Sequence, residues 1–206
     1  MNKIQQVYRI LFKEYGRQGW WPVTSGNKQF EVIIGTILTQ NTSWKNVEKA
    51  IANLRKEKLI SAEKIKNINL KKLAKLVKPS GYFNQKAERL KLAAEFFLKN
   101  KNPSRKELLQ LKGIGPETAD SILLYAFGKP YFVVDLYTKR IMSRMGLCKP
   151  DVKYDDLQEM FHSQLPKQVK MFNEYHALLV ELAKRNCMKT PACEECPAAR
   201  LCKRFI

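Results

Sequence analysis

An all-α fold is what this sequence predicts, on three grounds. Apolar residues recur at helical spacing along most of the chain, alternation of apolar and polar residues is nearly absent, and sharp breaks at Pro79-Ser80-Gly81 and Lys129-Pro130 separate the helical stretches. The 206 residues are enough for one large domain or two small ones. At 45% hydrophobic residues, the chain can bury a core and is not of the disordered class. There are no internal repeats and no low-complexity segments.

Taken in order, the elements are these. Val47, Ala50, Ile51 and Leu54 recur at i, i+3, i+4 and i+7, one buried helix face. Leu90, Ala93, Ala94 and Phe97 repeat the pattern, with Asn84 as the expected N-cap. Ser104 and Glu107 fit a capping box, and Pro103 closes the preceding loop. Residues 104–128 read SRKELLQLKGIGPETADSILLYAFG. A short helix should end near Leu111, and Pro116 suits the first position of the next. Between them, Gly113 and Gly115 flank Ile114, which allows a tight turn and close approach of a phosphate to the backbone. The N–H of Gly115 and the following helix N-terminus would bind that phosphate, while Ile114 anchors the hairpin in the core. Ala119, Ile122, Leu123 and Ala126 continue one helical stripe to a stop at Gly128. Tyr175, Leu178, Leu179 and Leu182 form the last.

Charge narrows the function classes. Thirty-eight Lys and Arg stand against 19 Asp and Glu, a formal charge of +19. A polyanionic partner explains such an excess, because each cation placed at a phosphate releases a condensed counterion. The alternative is a generally lysine-rich proteome. No apolar run reaches about 18 residues and no signal-peptide layout is present. The expectation is a monomeric cytoplasmic protein, associated with the nucleoid and not with membranes.

Of five cysteines, Cys187, Cys193, Cys196 and Cys202 crowd into the last 20 residues, and Cys148 stands alone as a small buried residue. Without a secretion signal, such a cluster points to a metal site over disulfides. The spacing C-x5-C-x2-C-x5-C suits four thiolates on a [4Fe–4S] cluster. Zinc on the same four is the alternative, although a zinc ribbon pairs two C-x2-C knuckles and only one is present. Lys189, Arg200, Lys203 and Arg204 make the loop basic.

The string LKGIGPETADSILLYAFGKPYFVVDLYTKR resembles the helix-hairpin-helix, Gly/Pro-rich loop and Asp signature of the endonuclease III superfamily of DNA glycosylases. The resemblance runs from about residue 30 to the C-terminus. It implies a two-lobed helix-hairpin-helix glycosylase fold with a C-terminal [4Fe–4S] loop. Residues 26–131 would form a helical bundle with the hairpin. Residues 1–25 plus 132–206 would form the second lobe, its cluster loop at 186–203. Duplex DNA with a damaged base would bind in the cleft between lobes, with Lys112, Gly113, Ile114, Gly115 and Thr118 at the DNA backbone. Asp135 matches the family's catalytic Asp. Its apolar neighbours Val133, Val134 and Leu136 would raise its pKa and a helix N-terminus would lower it. The family's cysteine pattern has six residues in the first gap, where this chain has five.

Bifunctional members carry a Lys two residues after the second hairpin glycine, where this chain has Glu117, so the resemblance implies a monofunctional enzyme with water as nucleophile. Trp20-Trp21-Pro22, LTQNTSW and PSGYFNQKAERL most resemble the 3-methyladenine DNA glycosylase III branch. Carried over, Trp21 and Trp44 would stack the flipped base, Trp20 and Pro22 would shape its pocket, and Gln40 would fill the gap left in the duplex. An alkylated purine is electron-poor and cationic, and a Trp face attracts it by about 1–2 kcal/mol. Some members of that branch lack the cluster; this chain keeps both motifs. Two rivals remain. One is an enzyme of the same fold for mismatched thymine or uracil, or for oxidised pyrimidines. The other is a non-enzymatic DNA-binding module, against which Asp135 argues.

Overall fold

The computed structural model describes residues 1–23 and 26–203, and Arg204 lies outside them. The described residues contain helices and no strand. They fall into two compact units, residues 1–20 with 129–206 and residues 21–128. The divisions lie a few residues before those expected from the sequence, so Trp20 and Trp21 belong to different units.

The second unit is built around α2 (Lys28–Leu38), which is buried on every side from Phe30 to Leu38. Such a helix belongs inside a bundle. α3 (Trp44–Lys56) and α6 (Phe83–Lys99) pack against it, and α4 (Ala62–Asn67) and α5 (Leu70–Val77) pack on α6 in turn. Each stripe read from the sequence in α3 and α6 is buried. α6 starts earlier than expected. Its N-cap is Tyr82, in left-handed backbone at φ 44°, and Asn84 lies inside the first turn. The break at Pro79-Ser80-Gly81 ends in Gly81 at φ 68°, which turns the chain directly into the helix and leaves Asn84 no capping role. Lys86 is fully buried in α6, and its ammonium donates to the carbonyls of Leu38 (2.9 Å) and Ser80 (2.6 Å). Burial, and then the neighbouring Arg89 charge, pull its pKa down to about 8. This ammonium closes the C-terminal end of α2, just before the loop that carries Gln40.

The hairpin follows as α7 (Arg105–Leu109) and α8 (Pro116–Ser121). The Ser104–Glu107 capping box is present. Asp120, with no exposed surface, receives Arg105 at 2.8 and 3.2 Å, which ties the two helices together. The helix after the hairpin is not one regular stripe. Residues Ile122–Ala126 form a π-turn. Its wider winding buries Leu124, leaves Ala126 half-buried and brings Tyr125 to Trp21.

In the first unit, α1 (Lys3–Tyr15) packs Ile4, Val7 and Leu11 against α11 (Val169–Arg185). Phe132, Phe161, Phe172 and Tyr175 form an aromatic core, with Phe132 stacked on Phe161 at 3.8 Å between centroids. Cys148 is half-buried, and not buried as the sequence suggested. α9 (Leu136–Arg144) and α10 (Tyr154–Gln164) complete the unit.

Candidate active site

Asp135 is the N-cap of α9. The extended segment before it buries Phe132, Val133 and Val134, which pairs with no strand, so its backbone polar groups need side-chain partners. α10 supplies them from one face, at positions four apart. The Phe132 N–H donates to His162 Nε2 (2.9 Å), Gln158 Nε2 donates to the Phe132 carbonyl (2.6 Å), and the Val134 N–H reaches Tyr154 Oη (3.4 Å). This ladder sets where Asp135 enters its helix.

Both carboxylate oxygens are engaged. Oδ1 accepts from the Thr138 N–H (2.7 Å) and the Thr138 hydroxyl (2.8 Å). Oδ2 lies 3.5 Å from His176 Nε2. The Asp135 side chain is 16% exposed, and His176 is buried in α11. Burial pushes the carboxyl up, but the His176 hydrogen bond and charge, with the two Thr138 donors, outweigh it. The net shift is below the ordinary aspartate value. From sequence, apolar neighbours and a helix N-terminus are the opposed effects. The lowering side prevails, with His176 as its larger source beside the Thr138 donors of the helix start, and the group is ionised at neutral pH.

The aromatic residues divide. Trp21 meets Trp44 edge-to-face, centroids 5.1 Å apart at 86°, and tilts against Tyr125 at 5.1 Å. Its ring rests on α2 at Gly35, where an added Cβ would come within 3.1 Å of Trp21 Cζ2. The Trp44 indole N–H donates to Glu48 (3.0 Å). The pair is therefore in contact, in the geometry that ring quadrupoles favour, and not parallel with a gap for a base. Trp20 stands in the other unit, edge-on to His176 at 5.8 Å, with Lys184 6.0 Å from its ring. Pro22 is exposed.

In the hairpin, Ile114 is buried as an anchor, while Lys112 and Gly115 are exposed. Gly113 has φ 83°, left-handed backbone that suits glycine. Gln40 Nε2 donates to the Gly113 carbonyl (3.0 Å) and to Thr118 Oγ1 (2.9 Å), which joins the Gln40 loop to the hairpin. Glu117 is exposed on the first turn of α8.

Cys187, Cys193, Cys196 and Cys202 line one cavity of about 30 Å³, floored by Ile141 and Leu182. A cavity of about 10–15 Å³ already holds a water, so this one has room for more than one. Burial, and the three neighbouring thiols, push Cys196 up despite an opposing Ala198 hydrogen bond. Among the described residues, no three His, Cys, Asp or Glu side chains close into a single-ion site. Arg144 of α9 grips this loop, its guanidinium donating to Cys187 Sγ (3.4 Å), Met188 O (2.6 Å) and Lys189 O (3.0 Å). Arg140 donates to the Cys187 carbonyl (2.8 Å). One helix thus carries Asp135 at its start and the cysteine loop at its end.

Residues 34–167 match the model of the HhH-GPD superfamily of base excision DNA repair proteins, which is more than half of the chain. The chain belongs to this superfamily. It is similar to a candidate DNA repair glycosylase of Methanocaldococcus jannaschii, 45% identical over 97% of this chain and 95% of that protein. It is also similar to endonuclease III of Thermotoga maritima, 32% identical over 98% and 93%. Among solved structures, the 3-methyladenine DNA glycosylase of H. pylori bound to 1,N6-ethenoadenine superposes with TM-score 0.79 at 29% identity, covering 89% of this chain and 98% of that one. The protein is a DNA glycosylase of base excision repair.

Several residues of the glycosylase escape sequence reading. His176 sits between Tyr175 and Leu178 and reads as helix face, and its partner Asp135 is 41 positions away. Thr138, three residues after Asp135, carries the ordinary N-cap signal and could have been found. Arg89 and Arg144 read as solvated charges until their partners are placed.

Proposed function

We propose that this glycosylase removes alkylated purines from duplex DNA by hydrolysis, with Asp135 as the catalytic carboxylate and no lyase step. The observation that carries the reading is the ionised, doubly supported Asp135 at a helix N-terminus. Breaking the N-glycosidic bond builds positive charge on the sugar, and a fixed carboxylate stabilises that charge. Water attacks C1′, the C1′–N bond breaks with its electron pair passing to the base, and the attacking water's proton goes to Asp135 Oδ2 or to solvent. An alkylated purine cation leaves as a neutral base, so no acid needs to protonate it. Glu117 stands where a lyase lysine would stand, and a carboxylate forms no imine.

The contact group of Trp21, Trp44 and Tyr125 supports an electron-poor base, as does the similarity to the H. pylori enzyme. Pro22 lies beside Trp21 and shapes the pocket, and Trp20 stands against His176 in its own unit. Gln40 enters the gap left by the flipped base, and Lys112, Gly113, Ile114, Gly115 and Thr118 hold the DNA backbone. The protein acts as a monomer. Similarity to endonuclease III keeps oxidised pyrimidines as the second reading.

The four cysteines fit a [4Fe–4S] cluster: they line one cavity, and two come from a C-x2-C turn. Cys187, Cys193, Cys196 and Cys202 would hold it. When bound, its iron–thiolate bonds would fix the loop that Arg140 and Arg144 grip. Hydrolysis needs no electron transfer, so its role is structural.

The test is a panel of duplexes with 3-methyladenine, 7-methylguanine, uracil, thymine opposite guanine, or thymine glycol. Excision of the two methylated purines, strand breakage only after alkali and no borohydride-trapped adduct are expected. Preferential excision of thymine glycol, or a strong trapped adduct, would replace this reading with the endonuclease III one.

A further inference from the structure

The Gln40 carboxamide is fixed at both ends. Its nitrogen donates to the Gly113 carbonyl and Thr118 Oγ1, and its oxygen accepts from the Arg89 guanidinium. The network allows only this orientation of the amide. Turned over, it would set N–H against guanidinium and oxygen against a carbonyl. Arg89 reaches Gln40 by crossing the hairpin at Gly113, where an added Cβ would collide with the arginine's Nε and Cδ. Glycine at 113 thus serves the passage of Arg89 as well as the positive φ. Among the described residues, Arg89 forms no ion pair. Its neighbour Lys86, one turn earlier on α6, repels it and is itself taken up by the Leu38 and Ser80 carbonyls. The residue after Gln40, Asn41, holds left-handed backbone at φ 53°, so the loop itself is bent to present that amide.

We propose that Arg89 is a positioning residue for Gln40, making the gap-filling loop and the DNA-backbone hairpin one preorganised element. Glutamine is among the costlier side chains to immobilise. A side chain fixed before binding loses less freedom when it enters the duplex. The inference rests on the reading of Gln40 as the gap-filling residue, and on no particular lesion.

A duplex carrying a tetrahydrofuran abasic analogue therefore serves as the probe, compared with the same duplex undamaged. Arg89→Met should lower the ratio of abasic to undamaged affinity about tenfold, the loss of one charge-assisted hydrogen bond. Gln40→Ala should lower the ratio at least as much, and the double variant no further, because Arg89 acts through Gln40. Arg89→Lys, which keeps the charge and one donor, should recover part of the ratio. A merely structural arginine would weaken both duplexes equally and lower the thermal midpoint, which would overturn the proposal. Additive losses in the double variant, or an unchanged ratio in Arg89→Met beside a reduced one in Gln40→Ala, would also overturn it. An unchanged ratio in Gln40→Ala would remove the reading of Gln40 itself, and the proposal with it.

Discussion

His176 turns its Nε2 toward the one oxygen of Asp135 that the helix cap does not use. Thr138 takes Oδ1 with two donors, and His176 stands 3.5 Å from Oδ2. The carboxylate is held from both sides, by its own helix and by α11. Removing either support should change how the group performs before it changes whether the protein folds.

Asp135→Asn keeps the shape and the cap and removes the charge. Excision should fall about 10²–10³-fold, typical of losing a group that stabilises transition-state charge, while binding of undamaged duplex stays unchanged. Single-turnover rates beside titration binding would check this. Near-normal excision by the variant would remove Asp135 from the mechanism.

The same carboxylate predicts a pH dependence of stability. Its pKa is lower in the folded chain than the unfolded value of about 3.9. The unfolded chain thus binds more protons in that window. The stabilisation is complete above the unfolded value and is lost as pH falls through the folded one. Denaturant midpoints between about pH 6 and 2.5 should fall more steeply for wild type than for Asp135→Asn. Parallel curves would show that the ionised carboxylate contributes nothing to the native state.

His176→Ala should lower the single-turnover rate about tenfold, through loss of the imidazole that faces Oδ2 at 3.5 Å. The loss should largely vanish in an Asp135→Asn background, where there is no carboxylate to position. Full additivity in the double variant would mean that His176 acts elsewhere.

Much of this was legible in the sequence because it is local. The stripe Val47–Leu54 and the 104/107 capping box depend on neighbours within one or two turns, and both appear in the structure. Asp135 was legible as an N-cap for the same reason. What the sequence hides is long-range pairing. Arg89 reads as a solvated face of α6 until the hairpin is laid beside it. The α10 ladder of Tyr154, Gln158 and His162 reads as a polar stripe until an unpaired extended segment needs it. The π-turn at Ile122–Ala126 is hidden differently: Ala119, Ile122 and Leu123 fit a regular helix, and only packing of Tyr125 and Leu124 reveals the extra residue in the turn.

Arg144 joins the cysteine loop to the helix that Asp135 caps. Arg144→Ala removes three hydrogen bonds, and at least the Met188 and Lys189 carbonyls lose this partner. These carbonyls are exposed and water can replace the guanidinium, so stability should fall by only about 0.5–1.5 kcal/mol. Iron bound per chain and the absorbance near about 400 nm expected of cysteine-ligated iron–sulfur centres should fall with it. Stoichiometric zinc without iron in anaerobically purified wild type would instead favour the zinc alternative.

Trp44 tests the substrate assignment. In the free protein its ring meets Trp21 edge-to-face at 5.1 Å, too close for a base to lie between parallel rings. A flipped base must therefore stack on one face of the pair or part the two rings. In either case, Trp44→Ala removes part of the aromatic wall. Base–aromatic stacking contributes about 1–3 kcal/mol, so excision of 7-methylguanine should drop by roughly one to two powers of ten. Undamaged duplex is held through phosphates and should bind as before. Gly35→Ala should move in the same direction but less, because its Cβ presses on Trp21 Cζ2 and shifts the ring by a few tenths of an ångström. Unchanged methyl-purine excision in Trp44→Ala would leave a monofunctional glycosylase standing and remove the alkylated-purine pocket.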